Sequence, residues 1–458
     1  MSPSNLDQIL QTVATPVELL RNSQIGPYAF PVVKHEFTNW RDEQRSWRDT
    51  CALFDQSHHM TDLYLEGPDA LKLLSDVGVN SFKTFKVNQA KQIVACNHQG
   101  YVIGDAILFY LGDNSFNIVG RPPVANWVQF NLETGGYQAT ATRDERSAQN
   151  EGRRRSYRYQ VQGPHARALM EKVTGRPVPE IRFFHMDAFS IAGRTVRALR
   201  HGMVGQPGWE LFGPWDDGDA VRDAIVEAGR EFGLRQVGAR TYPTSTIESG
   251  WIPSPLPAVY TAPELKRYRE WLKPTSYEAM ASLGGSFTSA NIDDYYLTPW
   301  DLGYGSIVKF DHDFIGRAAL ERMATTKQRK KVTFVWNGDD LARAASAPFV
   351  GGPGNLPKYI DLPLANYATL PFDKVLKDGR TVGLSTYTAY TWNERAMLSL
   401  GCISEEFSEP GTEVDLVWGE EDGGTAKPTV ERHTQITIRA TVAPAPFSQV
   451  AREAYRPR

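Results

Sequence analysis

Asp62-Leu63-Tyr64-Leu65-Glu66 runs into Gly67-Pro68-Asp69-Ala70-Leu71, and the same texture returns 96 residues later. There, Tyr157 to Gln162 runs into Gly163-Pro164-His165-Ala166-Arg167-Ala168-Leu169. In each copy the alternation marks a half-buried strand. Gly and Pro close it, with Pro at the expected first helical position, where its missing N–H costs nothing. Leu71, Leu74 and Val77, and then Leu169, Met170 and Val173, give helical stripes. A repeated strand–Gly-Pro–helix unit predicts an α+β fold with two related lobes. The polar, charge-dense link between them, Ala139 to Arg155, reads as an exposed loop.

The C-terminal part has a different texture. Lys330 to Trp336, Thr381 to Tyr387, Ala396 to Ile403, Glu413 to Trp418 and Thr434 to Ala440 read as β-strands separated by glycine, proline and acidic turns. Pro348 to Pro363 reads as a Gly/Pro-rich loop. The expected organisation is therefore residues 1–327 as two intertwined lobes and 328–458 as a β-rich, barrel-like domain.

Composition excludes several classes. At 458 residues the chain can bury a large core. Its 50 Lys+Arg against 53 Asp+Glu give a net charge of −3, with no electrostatic footprint for nucleic acid or an acidic membrane. Cys51, Cys96 and Cys402 lie far apart and show no CxxC spacing, which fits a reducing compartment. Met1 to Asn22 lacks a basic start and an unbroken apolar run, so it does not read as a signal peptide. Apolar runs such as Ala106 to Leu111 are strand-sized. A cytoplasmic protein is expected. No GxGxxG follows a strand, Gly351-Gly352-Pro353-Gly354 carries no Walker lysine, and no Gly-x-Ser-x-Gly elbow is present.

One stretch carries a chemical signal. In Gly202-Met203-Val204-Gly205-Gln206-Pro207-Gly208-Trp209-Glu210-Leu211, three glycines bend the chain and one carboxylate follows among apolar residues. Glu is rarely buried unless something pairs with it. Glu210 therefore reads either as an acceptor for a ligand rich in N–H donors, such as a pterin or purine, or as an exposed Glu after a hairpin turn.

The order of motifs resembles the aminomethyltransferase (glycine-cleavage T-protein) family, which binds tetrahydrofolate. Leu53-Phe54-Asp55-Gln56-Ser57-His58 followed by Leu65-Glu66-Gly67-Pro68-Asp69-Ala70 resembles its opening signature. Gln162-Gly163-Pro164, the Gly202 to Leu211 loop, Asp313 to Leu320 and Lys377-Asp378-Gly379-Arg380-Thr381-Val382-Gly383 resemble later motifs in the same order, from about residue 50 to the end. The resemblance implies a three-lobed fold around a folate channel, with Glu210 holding the pterin, and makes Trp209 and Asp105 further cofactor-binding candidates. Where many relatives carry paired aspartates, the run here is Gly104-Asp105, so one carboxylate remains. The stretch Arg240 to Trp251 is also two residues longer than the family pattern and has Thr246 near its second Arg.

With Ser57-His58-His59 and the Tyr242/Trp251 pair, the chain is most similar to the tetrahydrofolate-dependent aromatic O-demethylases of that family. This implies a methoxylated aromatic acid as substrate: syringate, vanillate or 3-O-methylgallate. Phe30 in place of a hydroxylated aromatic slightly favours syringate, because it leaves an apolar wall for a second methoxy group. Methyl transfer from an aryl ether needs an in-line approach and a proton for the departing phenolate. A tyrosine hydroxyl, of ordinary pKa about 10, is matched to that oxygen. Tyr242 is thus a catalytic candidate, with a core tyrosine as the alternative, and His59 is a second.

Arg121, stiffened by Pro122-Pro123, is a candidate for the substrate carboxylate or is a surface Arg at a strand end. Gln56 and His59 could bind the ring hydroxyl. Tyr28, Phe30 and Trp251 could stack on the ring or belong to the core. No third ligand accompanies the His-His pair, and no metal is expected. Another folate C1 transferase, or a folate-binding module without activity, remains the alternative function.

Overall fold

Cys51–Asp55 and Thr61–Glu66 are separated by only Gln56 to Met60, yet they enter different sheets. The computed structural model describes residues 3–150, 152–253, 255–350, 356–424 and 426–454. The first sheet is antiparallel, in the order Ala90–Cys96, Val102–Gly112, Ser115–Gly120, Thr61–Glu66, Thr140–Asp144. The second has the order Leu234–Val237, Cys51–Asp55, Ser156–Gln162, Gly208–Pro214, Arg194–Arg200, Met186–Ile191, parallel only in its first pair. Their edges meet where Ala90 N donates to Phe184 O and Met186 N to Asn88 O, both at 2.8 Å.

The repeat is built as two equivalent turns. Gly67 has φ +135° and Gly163 φ +132°. A Cβ at Gly163 would stand 2.5 Å from Thr50 O, so only glycine fits. The helices Ala70–Val77 and Ala166–Thr174 begin two residues after the prolines rather than on them, because a turn intervenes before the helical bonds start. The two strands also differ. Leu63 and Leu65 are buried and Glu66 is exposed, but Tyr157 to Gln162 is buried on both faces. Tyr157, Tyr159 and Val161 pack under the helices Ala166–Thr174 and Gly218–Gly229. Arg158, Gln160 and Gln162 take the other face, which period two requires.

The charge-dense link is an exposed loop only in part: residues 145–150 and 152–155 carry no strand or helix and several are exposed. Thr140–Asp144 is a strand paired with Thr61–Glu66. Arg154 donates to Asp62 Oδ2 at 2.7 Å and to Asp144 Oδ2 at 3.1 Å, with all three side chains buried. The charges are satisfied by one another, so their density did not signal solvent.

Lys330–Trp336, Ala396–Ile403, Arg380–Thr391, Asp373–Lys377, Glu413–Trp418 and Ile436–Ala443 close a barrel in that order. Asp373–Lys377 escaped the sequence reading. It is joined to Arg380–Thr391 through Asp378-Gly379, both at positive φ, the Asp-Gly signature of a tight hairpin. Part of the expected Gly/Pro-rich loop, Gly351 to Asn355, lies outside the described residues; its start belongs to the helix Gly338–Val350 and residues 356–363 carry no helix or strand. Leu384, Ala389, Leu398 and Leu400 join the hydrophobic cluster of the first lobe, so the barrel closes over it. No helix among the described residues is long and apolar enough to cross a membrane.

Candidate active site

The crossover from Gln56 to Met60 is pinned from both sides. Gln56 N donates to Arg158 O at 2.8 Å, and Arg158 N donates to Ser57 Oγ at 2.9 Å. Ser57 N donates to Asp55 Oδ1 at 2.9 Å. This clamp fixes where Gln56 and His59 stand. The short helical segment Tyr242–Ser249 brings Tyr242 to the same place, held by the barrel: Tyr387 Oη donates to Pro243 O at 2.9 Å.

Tyr242 sits at the centre of a ring cluster. Its ring centroid is 4.8 Å from Phe30, 4.8 Å from His59 and 5.5 Å from Phe54. Phe30 is 4.6 Å from His59 and 5.9 Å from Tyr28, whose hydroxyl donates to His59 O. Gln56 Nε2 donates to Tyr242 Oη at 2.9 Å. With that lone pair engaged, the Tyr242 proton points elsewhere, and its only protein acceptor among the described residues is Met203 Sδ at 3.9 Å. Burial, with Glu210 and Asp55 nearby, raises the Tyr242 pKa above the usual tyrosine range despite the Gln56 hydrogen bond. The hydroxyl therefore stays protonated. Burial, assisted by the Arg121 charge, pushes the His59 imidazole down to about 3, so it is neutral.

Arg121 follows the strand Ser115–Gly120 and precedes the helix Pro122–Gly135. Its guanidinium lies 4.3 Å over the Tyr28 ring and donates to Tyr277 Oη at 3.5 Å. Arg146 lies 5.0 Å over the same ring. Neither forms an ion pair with a carboxylate among the described residues. Arg146 was missed by sequence reasoning because it sits in the segment read as a solvated loop.

A second cluster surrounds Asp105. Its Oδ2 accepts from Gln92 Nε2 at 2.6 Å, Tyr304 Oη at 2.7 Å and Trp251 Nε1 at 2.9 Å. Burial raises its pKa, against these donors and the Arg121 charge. Trp251, 38 % exposed, thus serves Asp105 through its indole N–H. It makes no ring contact with Tyr28, Phe30 or Tyr242 among the described residues. Gln92 and Tyr304 carried no sequence signal.

Glu210, 5 % exposed, is buried rather than exposed after a turn. It ion-pairs with Arg158, and His201 Nδ1 is 3.8 Å away. Trp209 points the other way, into the core between the second sheet and its helices, so it does not join Glu210 on the face toward the site. Several buried polar atoms have no protein partner among the described residues: Gln160 Oε1 and Gln162 Nε2 on that face, Gln56 Oε1 and His59 Nδ1 at the crossover, and Asp105 Oδ1 on the first sheet. Buried polar groups are nearly always satisfied, so this set of donors and acceptors fits a ligand bearing amide, amino and ring N–H groups, as a pterin does.

Residues 22–254 match the family described as the GCVT N-terminal domain. A curated syringate O-demethylase from a Sphingobium species is 49 % identical over 452 residues, covering 98 % of this chain and 97 % of that protein. A sesamin methylene transferase from a Sinomonas species is 31 % identical over 375 residues, with 79 % and 80 % covered. The glycine cleavage system aminomethyltransferase T of Bartonella henselae superposes with a TM-score of 0.60 at 17 % identity over 94 % of this chain and 92 % of its own, and shares the fold.

Proposed function

This chain belongs to the GCVT family, and on that premise we propose that it is a tetrahydrofolate-dependent O-demethylase of methoxylated benzoates, syringate before vanillate or 3-O-methylgallate. The observation that carries the reading is the Tyr242 hydroxyl, fixed by Gln56 inside the Phe30–His59–Tyr242 cluster and facing no strong acceptor among the described residues. Tetrahydrofolate, when bound, supplies the N5 lone pair that accepts the methyl and the N5 proton that balances the reaction. The residues around Glu210, with Gln160, Gln162 and Asp105, would hold it.

This chain's residues do the rest. Arg121 and Arg146 offer two guanidiniums to the benzoate carboxylate, a planar anion that Arg pairs with well. Phe30 and Tyr28 form an apolar wall beside the ring. The C–O electrons stay on the aryl oxygen as the methyl leaves, and the Tyr242 proton passes to that oxygen, giving the phenol; Tyr242 Oη then takes back one proton, matching the one released at N5, so that the cycle balances. His59, neutral at physiological pH, can hydrogen-bond the neighbouring ring substituent through the Nδ1 atom that has no protein partner among the described residues. Such a reaction suits a cytoplasmic enzyme of lignin-derived aromatic catabolism.

The test is an anaerobic incubation of the purified protein with tetrahydrofolate and, separately, syringate, vanillate and 3-O-methylgallate, followed by chromatography. Equal amounts of 5-methyl-tetrahydrofolate and free phenol are expected, with syringate fastest. Folate binding without release of any phenol would overturn the proposal.

A further inference from the structure

His58 and His59 are neighbours in the crossover, but their rings serve different places. His59 joins Phe30 and Tyr242, whereas His58 lies edge-on to Trp215, with ring centroids 5.6 Å apart. Both nitrogens of the His58 ring are engaged. Nε2 is 3.5 Å from Asp55 Oδ2, and Nδ1 is 2.8 Å from Ser147 Oγ. With the ring proton on Nε2, the imidazole faces the carboxylate as a donor and accepts the Ser147 hydroxyl at Nδ1. Burial alone would raise the Asp55 carboxyl, but His58 and the Ser57 donors outweigh it and hold it below the usual carboxylate range. An anion therefore stands behind the ring.

Ser147 belongs to a turn that Arg146 opens. Gln149 N donates to Arg146 O at 2.9 Å, and Ala148 and Gln149 are exposed. The chain on either side has its own partners: Thr61 Oγ1 donates to Glu145 Oε2 at 2.9 Å, and Asn150 Nδ2 to Asp144 Oδ1 at 2.7 Å. Between these points, the hydrogen bonds that tie the turn to the body of the protein among the described residues both come from His58. Its carbonyl accepts Ser147 N at 2.9 Å, and its ring takes the hydroxyl. The next carbonyl, His59 O, accepts the Tyr28 hydroxyl. Two consecutive carbonyls of one crossover thus hold the Tyr28 ring and the turn whose Arg146 guanidinium lies 5.0 Å over that ring. Fixing the backbone under a long side chain lowers the ordering cost of the bond that side chain makes.

We infer that His58 is a positioning residue for the substrate carboxylate: through Ser147 it holds the Arg146–Gln149 turn so that Arg146, like Arg121, stands at the Tyr28 ring. The inference rests on the carboxylate reading of Arg146 above. Without the imidazole the turn is held at one point rather than two. The loss falls on carboxylate binding and spares methyl transfer, because no hydrogen bond or ring contact joins the His58 side chain to Tyr242 among the described residues.

The test is steady-state kinetics of the intact protein on syringate and on a methoxyphenol without the carboxylate, together with amide hydrogen exchange of the free protein. His58→Ala should raise KM for syringate about fivefold with kcat little changed, the size of one half-exposed charge pair. The methoxyphenol should react as it does with the parent. His58→Asn keeps an acceptor where Nδ1 stands and should bring KM back to within about twofold, whereas Ser147→Ala, which removes the same bond from its other end, should cost about threefold. His58→Ala should add nothing to Arg146→Gln. Exchange at the Ser147 and Gln149 amides should quicken about tenfold in His58→Ala and stay near the parent rate in His58→Asn. An equal rise in KM on both substrates, a fall in kcat, no rescue by Asn, or additivity with Arg146→Gln would overturn the assignment, and so would unchanged exchange. Faster exchange with an unchanged KM would show the turn held by His58 and refute the carboxylate reading of Arg146 instead.

Discussion

Replacing Tyr242 by Phe removes one oxygen and keeps the ring. The contacts to Phe30, His59 and Phe54 persist, so substrate affinity should hold within about threefold, consistent with loss of an interaction made in the transition state. Gln56 Nε2 loses its bond to the hydroxyl but keeps Met203 Sδ at 3.4 Å, so the fold should lose only about 1 kcal/mol. Under the proposed mechanism the chemical step loses its proton donor. Comparable losses cost about 2.7–4 kcal/mol, or roughly 10²–10³ in kcat. Gln56→Leu should cost about fivefold, because it frees the hydroxyl to rotate without removing it. The double variant should be no worse than Tyr242→Phe alone, since Gln56 acts through that hydroxyl. Single-turnover release of the phenol under anaerobic conditions measures these rates. A Tyr242→Phe rate within threefold of the parent would refute the proton-donor reasoning and leave Tyr242 a packing residue. Additive effects of the two substitutions would refute the claim that Gln56 acts through it.

Arg121→Gln should raise KM for the benzoate about 10–100-fold with kcat little changed, as expected for a lost charge-assisted bond, and Arg146→Gln should do the same at about fivefold. A methoxyphenol without the carboxylate should react equally with all three proteins; a parallel loss on that substrate would contradict the clamp. Because His59 is held neutral at a pKa near 3, against 6.5 unfolded, the unfolded chain binds the extra proton between these values. Stability is therefore intact above pH 6.5 and declines as pH falls, by about 2 kcal/mol at pH 5. His59→Asn should flatten the denaturation midpoint across pH 6.5–4, and an unchanged slope would count against the buried imidazole. Gly163→Ala should destabilise by about 2–3 kcal/mol, from its positive φ and the close approach to Thr50 O. A midpoint in denaturant like that of the parent would contradict the turn geometry.

The repeat made the two lobes legible, because Gly67 and Gly163 mark turns that only glycine can take. The barrel was legible through its alternating strands and Asp378-Gly379. What escaped had long-range causes. Arg154, Asp62 and Asp144 bury their charges in one another, which no local window shows, so a strand and its ion pairs were read as a loop. Trp209 and Glu210 are neighbours in sequence but face opposite sides of their strand, a consequence of period two that the glycine turn had obscured. The bond from the Trp251 indole N–H to Asp105, 146 residues away, was not legible in the sequence. Gln92, Tyr304 and Arg146 carry no motif; Gln92 reaches Asp105 from the neighbouring strand of the same sheet, and Tyr304 reaches it from a turn 199 residues further along the chain.

The most direct measurement uses syringate with fully deuterated methoxy groups and unlabelled tetrahydrofolate in the absence of oxygen. Mass spectrometry of the folate product should show intact transfer of all three deuterons in one 5-methyl group per phenol freed. A product lacking the label, or carrying only two deuterons at the methylene level, would contradict direct methyl transfer and with it the account of this site.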